Sequence, residues 1–357
     1  MNFFKINRTV FFFFIFFTLM FAQEDEFFIP TTTVGGYGEL HYNYKKPKNF
    51  SATETLDFHR FVLFFGHSFS EKWSFKSEVE LEHNLVGENN GKLELEQAYI
   101  DYHYSNNFGF KAGVLLVPVG IINEYHEPPT FFGVERPDYA KYIIPTTWFG
   151  NGVQIYGNIV GLKYIVSITE GLNADKFSAK TAIRGGRQKG FKANASSLLY
   201  SLRLDYFGFR GLNFGVSVSS NKARGEVIEN SITFTEIHFQ YKMKGLFITS
   251  EYGIINYTNG NVKVSSGFYT DLGYNISKIL KTKTKIIPFI RYSNVNTATS
   301  VVANKEIEKQ YHRIKFLFGI SVKPLDTIVF KADYSTEKIE LNNSSTQLFN
   351  IGIGYAF

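Results

Sequence analysis

The chain has 357 residues, no cysteine and a formal charge of +6 at neutral pH. Without thiols it has no disulfide to brace an exported soluble fold, no cysteine-ligated metal and no lipid attached through an N-terminal cysteine. Its 38 Lys and Arg are scattered rather than gathered into a stripe, so no nucleic acid partner is expected. A content of 38 Phe and 22 Tyr with a mean hydropathy of only −0.12 suits a closed sheet that is greasy outside and wet inside.

The first segment in chain order is 1–22. Lys5 and Arg8 precede the uncharged run TVFFFFIFFTLMFA, and the acidic QEDE follows at once. This is the layout of a secretory signal, with cleavage expected after Ala22. The run is shorter than the ~20 residues that cross a bilayer as a helix, and no later stretch is apolar for long enough. Residues 23–33 are expected to be a short periplasmic segment, and 34–357 one domain.

From Val34 onward about sixteen segments alternate apolar and polar residues, with no convincing helix between them. They span 34–43, 57–68, 73–84, 92–104, 108–116, 151–158, 161–169, 197–207, 211–219, 231–242, 245–256, 265–277, 283–295, 310–322, 325–336 and 347–357. In the third, Phe75, Ser77, Val79 and Leu81 oppose Lys76, Glu78, Glu80 and Glu82. In the eighth, Leu198, Tyr200, Leu202, Leu204 and Tyr206 oppose Leu199, Ser201, Arg203 and Asp205. In the fourteenth, Ile314, Phe316, Phe318 and Ile320 oppose Arg313, Lys315, Leu317 and Gly319. One face suits hydrocarbon and the other water, because successive side chains of a strand point to opposite faces.

A soluble sandwich also alternates, so the connections matter. Read back from the last strand they run longer at Asn343-Ser344, tight near Pro324, long over Asn296–Lys309, short at Lys281 and longer at Asn259-Gly260. They continue tight at Lys244-Gly245, long over Asn221–Asn230, tight at Arg210-Gly211 and very long over Glu170–Ser196. Strict sorting of short and long predicts an all-β transmembrane antiparallel barrel with short periplasmic turns and long extracellular loops. Closure also leaves no strand edge unpaired in lipid.

The third outer connection, PVGIINEYHEPPTFFGVERPDYAKYIIPTTWFG, is far longer than a hairpin needs. Its aromatics and its Pro128, Pro129, Pro137 and Pro145 favour a folded loop, and the nearest surface is the barrel interior. The last segment, QLFNIGIGYAF, alternates to its end, with Tyr355 and Phe357 on its large apolar face, as a strand that must pair on both sides should.

The signal segment, the strand array, VLLVPVG leading into a long loop with GVERP, the return NGVQIYG and the terminal Phe357 resemble Gram-negative porins, most nearly the phosphate-selective porin O/P type, with relatives in Bacteroidota. The resemblance implies a water-filled channel for small hydrophilic solutes and ions, phosphate among them, as a homotrimer in outer-membrane lipid and lipopolysaccharide. It also implies that Tyr355 and Phe357 present a sorting signal to the barrel assembly machinery. The third loop would narrow the pore, making Glu124, His126, Glu127, Glu135, Arg136, Asp138 and Lys141 constriction candidates, with an Arg136–Asp138 ion pair as the structural alternative.

The expected lumen face is mixed. Arg203, Arg291, Arg313, Lys315 and Lys331 share it with Glu78, Glu80, Glu82, Asp101, Asp205, Glu236, Glu251, Asp271 and Asp333. Such a lining departs from a ladder of Arg and Lys and favours general passage of small polar solutes. No G-x-S-x-G elbow is present, so an enzyme is not expected. Glu124, His126 and Glu127 lack the HExxH spacing, and neither a metal nor a cofactor is expected. Two alternatives remain. A surface adhesin or structural barrel would have a closed pore, and a transporter of hydrophobic molecules would need a plug for which 23–33 is short.

Overall fold

A computed structural model describes residues 28–87 and 90–357. The expected leader, 1–22, lies outside the described residues, as does 23–27 of the expected periplasmic segment. The strands are β1 (Thr31–Pro47), β2 (Thr53–Ser68), β3 (Trp73–Gly87), β4 (Asn90–Ser105), β5 (Phe108–Leu116), β6 (Phe149–Ile159), β7 (Leu162–Glu170) and β8 (Leu198–Tyr206). They continue as β9 (Leu212–Arg224), β10 (Glu229–Met243), β11 (Leu246–Tyr257), β12 (Val262–Tyr274), β13 (Lys285–Val301), β14 (His312–Leu325), β15 (Ile328–Ile339) and β16 (Ser344–Ala356). Each pairs antiparallel with its neighbours in sequence, and β1 pairs with β16 to close the barrel.

At the seam, the Phe357 N–H donates to the Gly36 carbonyl at 2.9 Å and the Gly36 N–H to the Phe357 carbonyl at 3.0 Å. Here glycine is required by close approach. A Cβ on Gly36 would sit 2.2 Å from the Val62 carbonyl oxygen, and one on Gly38 would sit 2.6 Å from the Tyr355 hydroxyl. The GGYG run of β1 is therefore the complement of the aromatic end of β16.

Alternation sets the two faces. Phe316, Phe318 and Ile320 of β14 are exposed on the outside, whereas Leu317 and Ser321 are buried inside. Leu202 of β8, Phe330 of β15 and Ile351 of β16 extend the same exposed apolar band. Among the described residues no helix is long and apolar enough to cross a membrane. The helices are short: α1 (Asp138–Tyr142) and α2 (Lys305–Gln310).

The strict sorting of connections by length does not hold. Strands overrun their expected limits: β9 reaches Arg224 instead of 219, β13 reaches Val301 instead of 295, and β1 starts at Thr31 instead of 34. The connections 225–228, 258–261 and 340–343 are consequently tight, while 275–284, at the end of the barrel that carries Thr31 and Phe357, is one of the longer ones. The cause is physical. β1 and β13 have 17 residues each, more than the ~9–11 that a tilted strand needs to cross hydrocarbon. Past that depth both faces meet water and the alternation fades. The asymmetry that remains is carried by 117–148 and 171–197, both at the end away from Thr31 and Phe357, here the long-loop end.

Three irregularities bend the wall where these loops meet it. The β1–β2 register shifts between Glu39 and Leu40, leaving His59 as the extra residue. The β3–β4 register shifts at Glu78/Val79, leaving Glu96 extra, and again between Glu82 and Gly87. His83 and Asn84 there take positive φ of 62° and 56°. A bulge re-aims the side chains beside it.

Candidate pore constriction

The 117–148 loop leaves β5 and returns to β6 inside the ring. Asn123 ties its two ends together, donating to the carbonyls of Val117 (2.9 Å) and Trp148 (3.0 Å) and accepting from the Trp148 N–H (2.7 Å). Ile122, Tyr139, Ile143, Ile144 and Trp148 pack against Leu199, Phe234, Ile255, Tyr269 and Val295 of β8–β13. At about 25 cal/mol per Å² of apolar surface removed from water, such a seam is a large term in holding the loop.

Inward-facing polar residues complete the attachment. The Ile121 N–H donates to Glu251 (2.8 Å) and the Val134 N–H to Asp333 (2.7 Å). Arg203 donates to the Gly120 carbonyl (2.5 Å), Arg291 to that of Glu135 (3.2 Å) and Lys331 to that of Gly133 (2.7 Å). Arg203 is also paired with Asp205 (2.7 Å) and Arg291 with Asp271 (2.6 Å). Arg203 and Arg291 thus lie buried beneath the loop inside the barrel with their charges matched, whereas Lys331 sits over the Phe131 ring and makes no ion pair among the described residues.

The residues singled out on the loop divide by partner. Glu124 meets Lys163 of β7 (2.8 Å) and Arg203 (3.0 Å). His126 is buried between Glu78 (3.1 Å) and Glu96 (3.5 Å). Burial disfavours its imidazolium, but those carboxylates outweigh it and hold the group up at about 10. Glu135 accepts from His41 (3.1 Å) and Asn43 (3.0 Å) and remains 48% exposed. Glu127 has one buried carboxylate oxygen with no hydrogen-bond partner among the described residues.

The alternative pairing of Arg136 with Asp138 is not formed. Asp138 binds Lys315 of β14 at 2.7 Å, because α1 turns it toward that wall. Arg136 instead donates to the His126 carbonyl at 3.1 Å and makes no ion pair among the described residues. Lys141 is exposed beside the Tyr142 ring, and Arg313 stacks on that ring from β14 at 4.4 Å. On the wall, Glu80 pairs with Arg60 (3.0 Å) and Glu82 lies 3.7 Å from Lys92.

Sequence reading missed the part taken by 171–197. This second loop lies on the first: Arg184 donates to the carbonyls of Lys141 (3.1 Å) and Thr146 (3.0 Å), and Arg187 to those of Pro145 (2.6 Å) and Thr147 (2.5 Å). Lys189 pairs with Glu94 of β4. The basic run RGGRQKGFK, 184–192, was the available signal. Arg184 and Arg187 lie within electrostatic reach of Glu82 and Glu94, and Arg136 within reach of Glu80 and Glu96. Loop-borne guanidiniums thus face a strip of carboxylates on β3–β4. Toward the end that carries Thr31 and Phe357 the interior opens into hollows of about 560 and 360 Å³, one lined by Lys76, Asp101, Lys111 and Lys163, the other by Asn213, Lys242 and Lys323.

A closed sixteen-stranded antiparallel ring with an apolar exterior and a charged interior narrowed by an inserted loop is a porin-type β-barrel. The family model for phosphate-selective porin O and P matches residues 34–278, and the chain belongs to that family. An uncharacterized protein of Aquifex aeolicus (strain VF5) is 34% identical over 350 residues, covering 91% of this chain and 80% of its own. Among solved structures, the anion-selective porin from Comamonas acidovorans shares the fold with a TM-score of 0.63 at 11% identity, covering 92% of this chain and all of that one. Salmonella typhi OmpF in complex with daunomycin gives 0.61 at 12% identity over 91% of this chain and 97% of that one. The trimer form of Vibrio cholerae OmpT gives 0.56 at 14% identity over 92% of this chain and 100% of that one.

Proposed function

We propose that this outer-membrane barrel is a water-filled channel through which small hydrophilic solutes and ions, phosphate among them, diffuse passively. The observation that carries this reading is the uneven lining. The inserted loop packs by apolar contacts against β8–β13, and in this reading the passage follows the β1–β6 side, where Arg184 and Arg187 lie within electrostatic reach of the part-exposed Glu82 and Glu94 and Arg136 within reach of the buried Glu80 and Glu96. Opposed charges across a narrow path create a transverse field that orders dipolar solutes and passes small ions of either sign. Arg60, Arg203, Arg291 and Lys315 are already paired with carboxylates, which supports broad selectivity over a dedicated phosphate path.

In this reading the long loops face outward, the apolar band meets outer-membrane lipid and lipopolysaccharide, and Tyr355 and Phe357 are read by the assembly machinery. A homotrimer is the assembly proposed, on the precedent of the trimeric OmpT form. Family and fold point to a channel, and catalysis has no part in the proposal. The test is single-channel recording of the purified barrel in planar bilayers. Stepwise ohmic conductance in KCl is expected, and folded barrel that inserts without conducting would overturn the reading.

A further inference from the structure

The long-loop mouth holds a cluster that neither the porin reading nor the constriction uses. Asp57 and His59 of β2 and His83 of β3 place one donor atom each within 4.8 Å of the others. The Asp57 Oδ2 lies 3.0 Å from the His59 Nδ1 and 2.8 Å from the His83 Nδ1. The His41 ring stacks on His59 with centroids 4.8 Å apart, and His41, His59 and Glu135 form a second set of donors that shares His59.

Two separate backbone departures build this cluster. Regular alternation would send His59 and His83 outward, since Arg60 and Glu82 beside them face in. The β1–β2 bulge turns His59 inward next to Arg60, and the positive φ at His83, uncommon for a residue with a side chain, folds it over Asp57. Two irregularities on adjacent strands converge on one carboxylate. Three histidines from three successive strands meet there, out of 8 in the chain.

We propose that Asp57, His59 and His83 form a binding site for a divalent transition-metal ion, Zn²⁺ or one of similar ligand preference. Two imidazoles and a carboxylate suit Zn²⁺, Cu²⁺ or Ni²⁺, whereas Mg²⁺ and Ca²⁺ call for oxygen donors throughout. Tetrahedral ligands bonded at about 2.0–2.1 Å stand roughly 3.3 Å apart, close to the separations present here. The side chains are 29%, 21% and 43% exposed, so water can reach the site and complete the coordination. Lys92 lies near His83, but its charge is offset by Glu82 between them.

The site stands without the channel reading, and only its effect on current rests on that reading. Full-length barrel in detergent micelles is titrated with Zn²⁺ in competition with a chromophoric chelator, with Mg²⁺ as control. One Zn²⁺ per chain is expected. His83→Asn suits the left-handed backbone, and it and His59→Gln should each weaken binding by about tenfold or more, since even the loss of an outer-shell partner costs about 10–100-fold. His103→Gln, at the opposite end, should change nothing. Heat-modifiable migration in gels checks that each variant is folded. No saturable binding by wild type, or equal binding by the folded double variant His59→Gln with His83→Asn, would overturn the site. Cu²⁺ in place of Zn²⁺ should show nitrogen hyperfine coupling in electron paramagnetic resonance that the double variant lacks. In bilayers, Zn²⁺ should lower wild-type conductance and leave the double variant unaffected. Binding without conductance in either protein would retain the site and remove the channel reading alone.

Discussion

Arg136 and His126 occupy neighbouring places on one loop and answer to different physics. Arg136 makes no ion pair among the described residues, so in the channel reading its field is left to act on a passing ion. A unit charge at close range is worth about 1 kcal/mol in water and more beside protein. Arg136→Ala should therefore move the reversal potential in a KCl gradient toward cation preference, by roughly a fivefold change in permeability ratio, with the fold intact. An unchanged potential would take Arg136 out of the path. His126 is spent on structure, and its replacement strands Glu78 and Glu96. His126→Gln should cost about 3–5 kcal/mol, read from the midpoint of urea unfolding in micelles. The pH sign follows from the raised imidazole. Its contribution is complete below the ordinary histidine value of 6.5 and is lost as pH rises through about 10. Wild type should thus lose stability across that window while His126→Gln changes less.

At the scale of elements, the inserted loop is held by an apolar seam and then covered by a second loop. Trp148 sits in that seam against Phe234, with ring centroids 6.4 Å apart. Trp148→Ala should cost about 3–5 kcal/mol and make single-channel current noisier as the loop loosens. The covering loop has its own latch: the Asp175 carboxylate accepts from the N–H groups of Glu226 (2.6 Å) and Ile228 (2.7 Å). Asp175→Ala should speed proteolytic cleavage within 171–197 and leave the barrel intact on gels. The strands themselves were legible wherever hydrocarbon lay on one side and water on the other, because only there does period two have a cause. Where both faces are wet the limits were misjudged, as at 219 against Arg224. The inward fate of 117–148 could be read from its aromatics and prolines. The partners of its charges could not, since they depend on which distant strand lies opposite, as Lys315 does for Asp138. Bulges were invisible too, and with them the inward turn of His59 and His83.

For the whole molecule, the decisive contact is the seam between the first strand and the sixteenth. Gly38→Val would drive a side chain into the Tyr355 ring, and the fraction of heat-modifiable, folded species should fall sharply. Phe357→Ala is a different case, because that ring is 61% exposed and touches little inside the barrel. It should lower the yield of assembled protein in cells while changing unfolding in micelles by less than about 1 kcal/mol. The seam also dictates timing. The ribosome makes β1 first and β16 last, so a half-made chain has nothing with which to shut the cylinder. Until β16 exists the edge of β1 stays bare and open to pairing with other chains, and one late event joins head to tail.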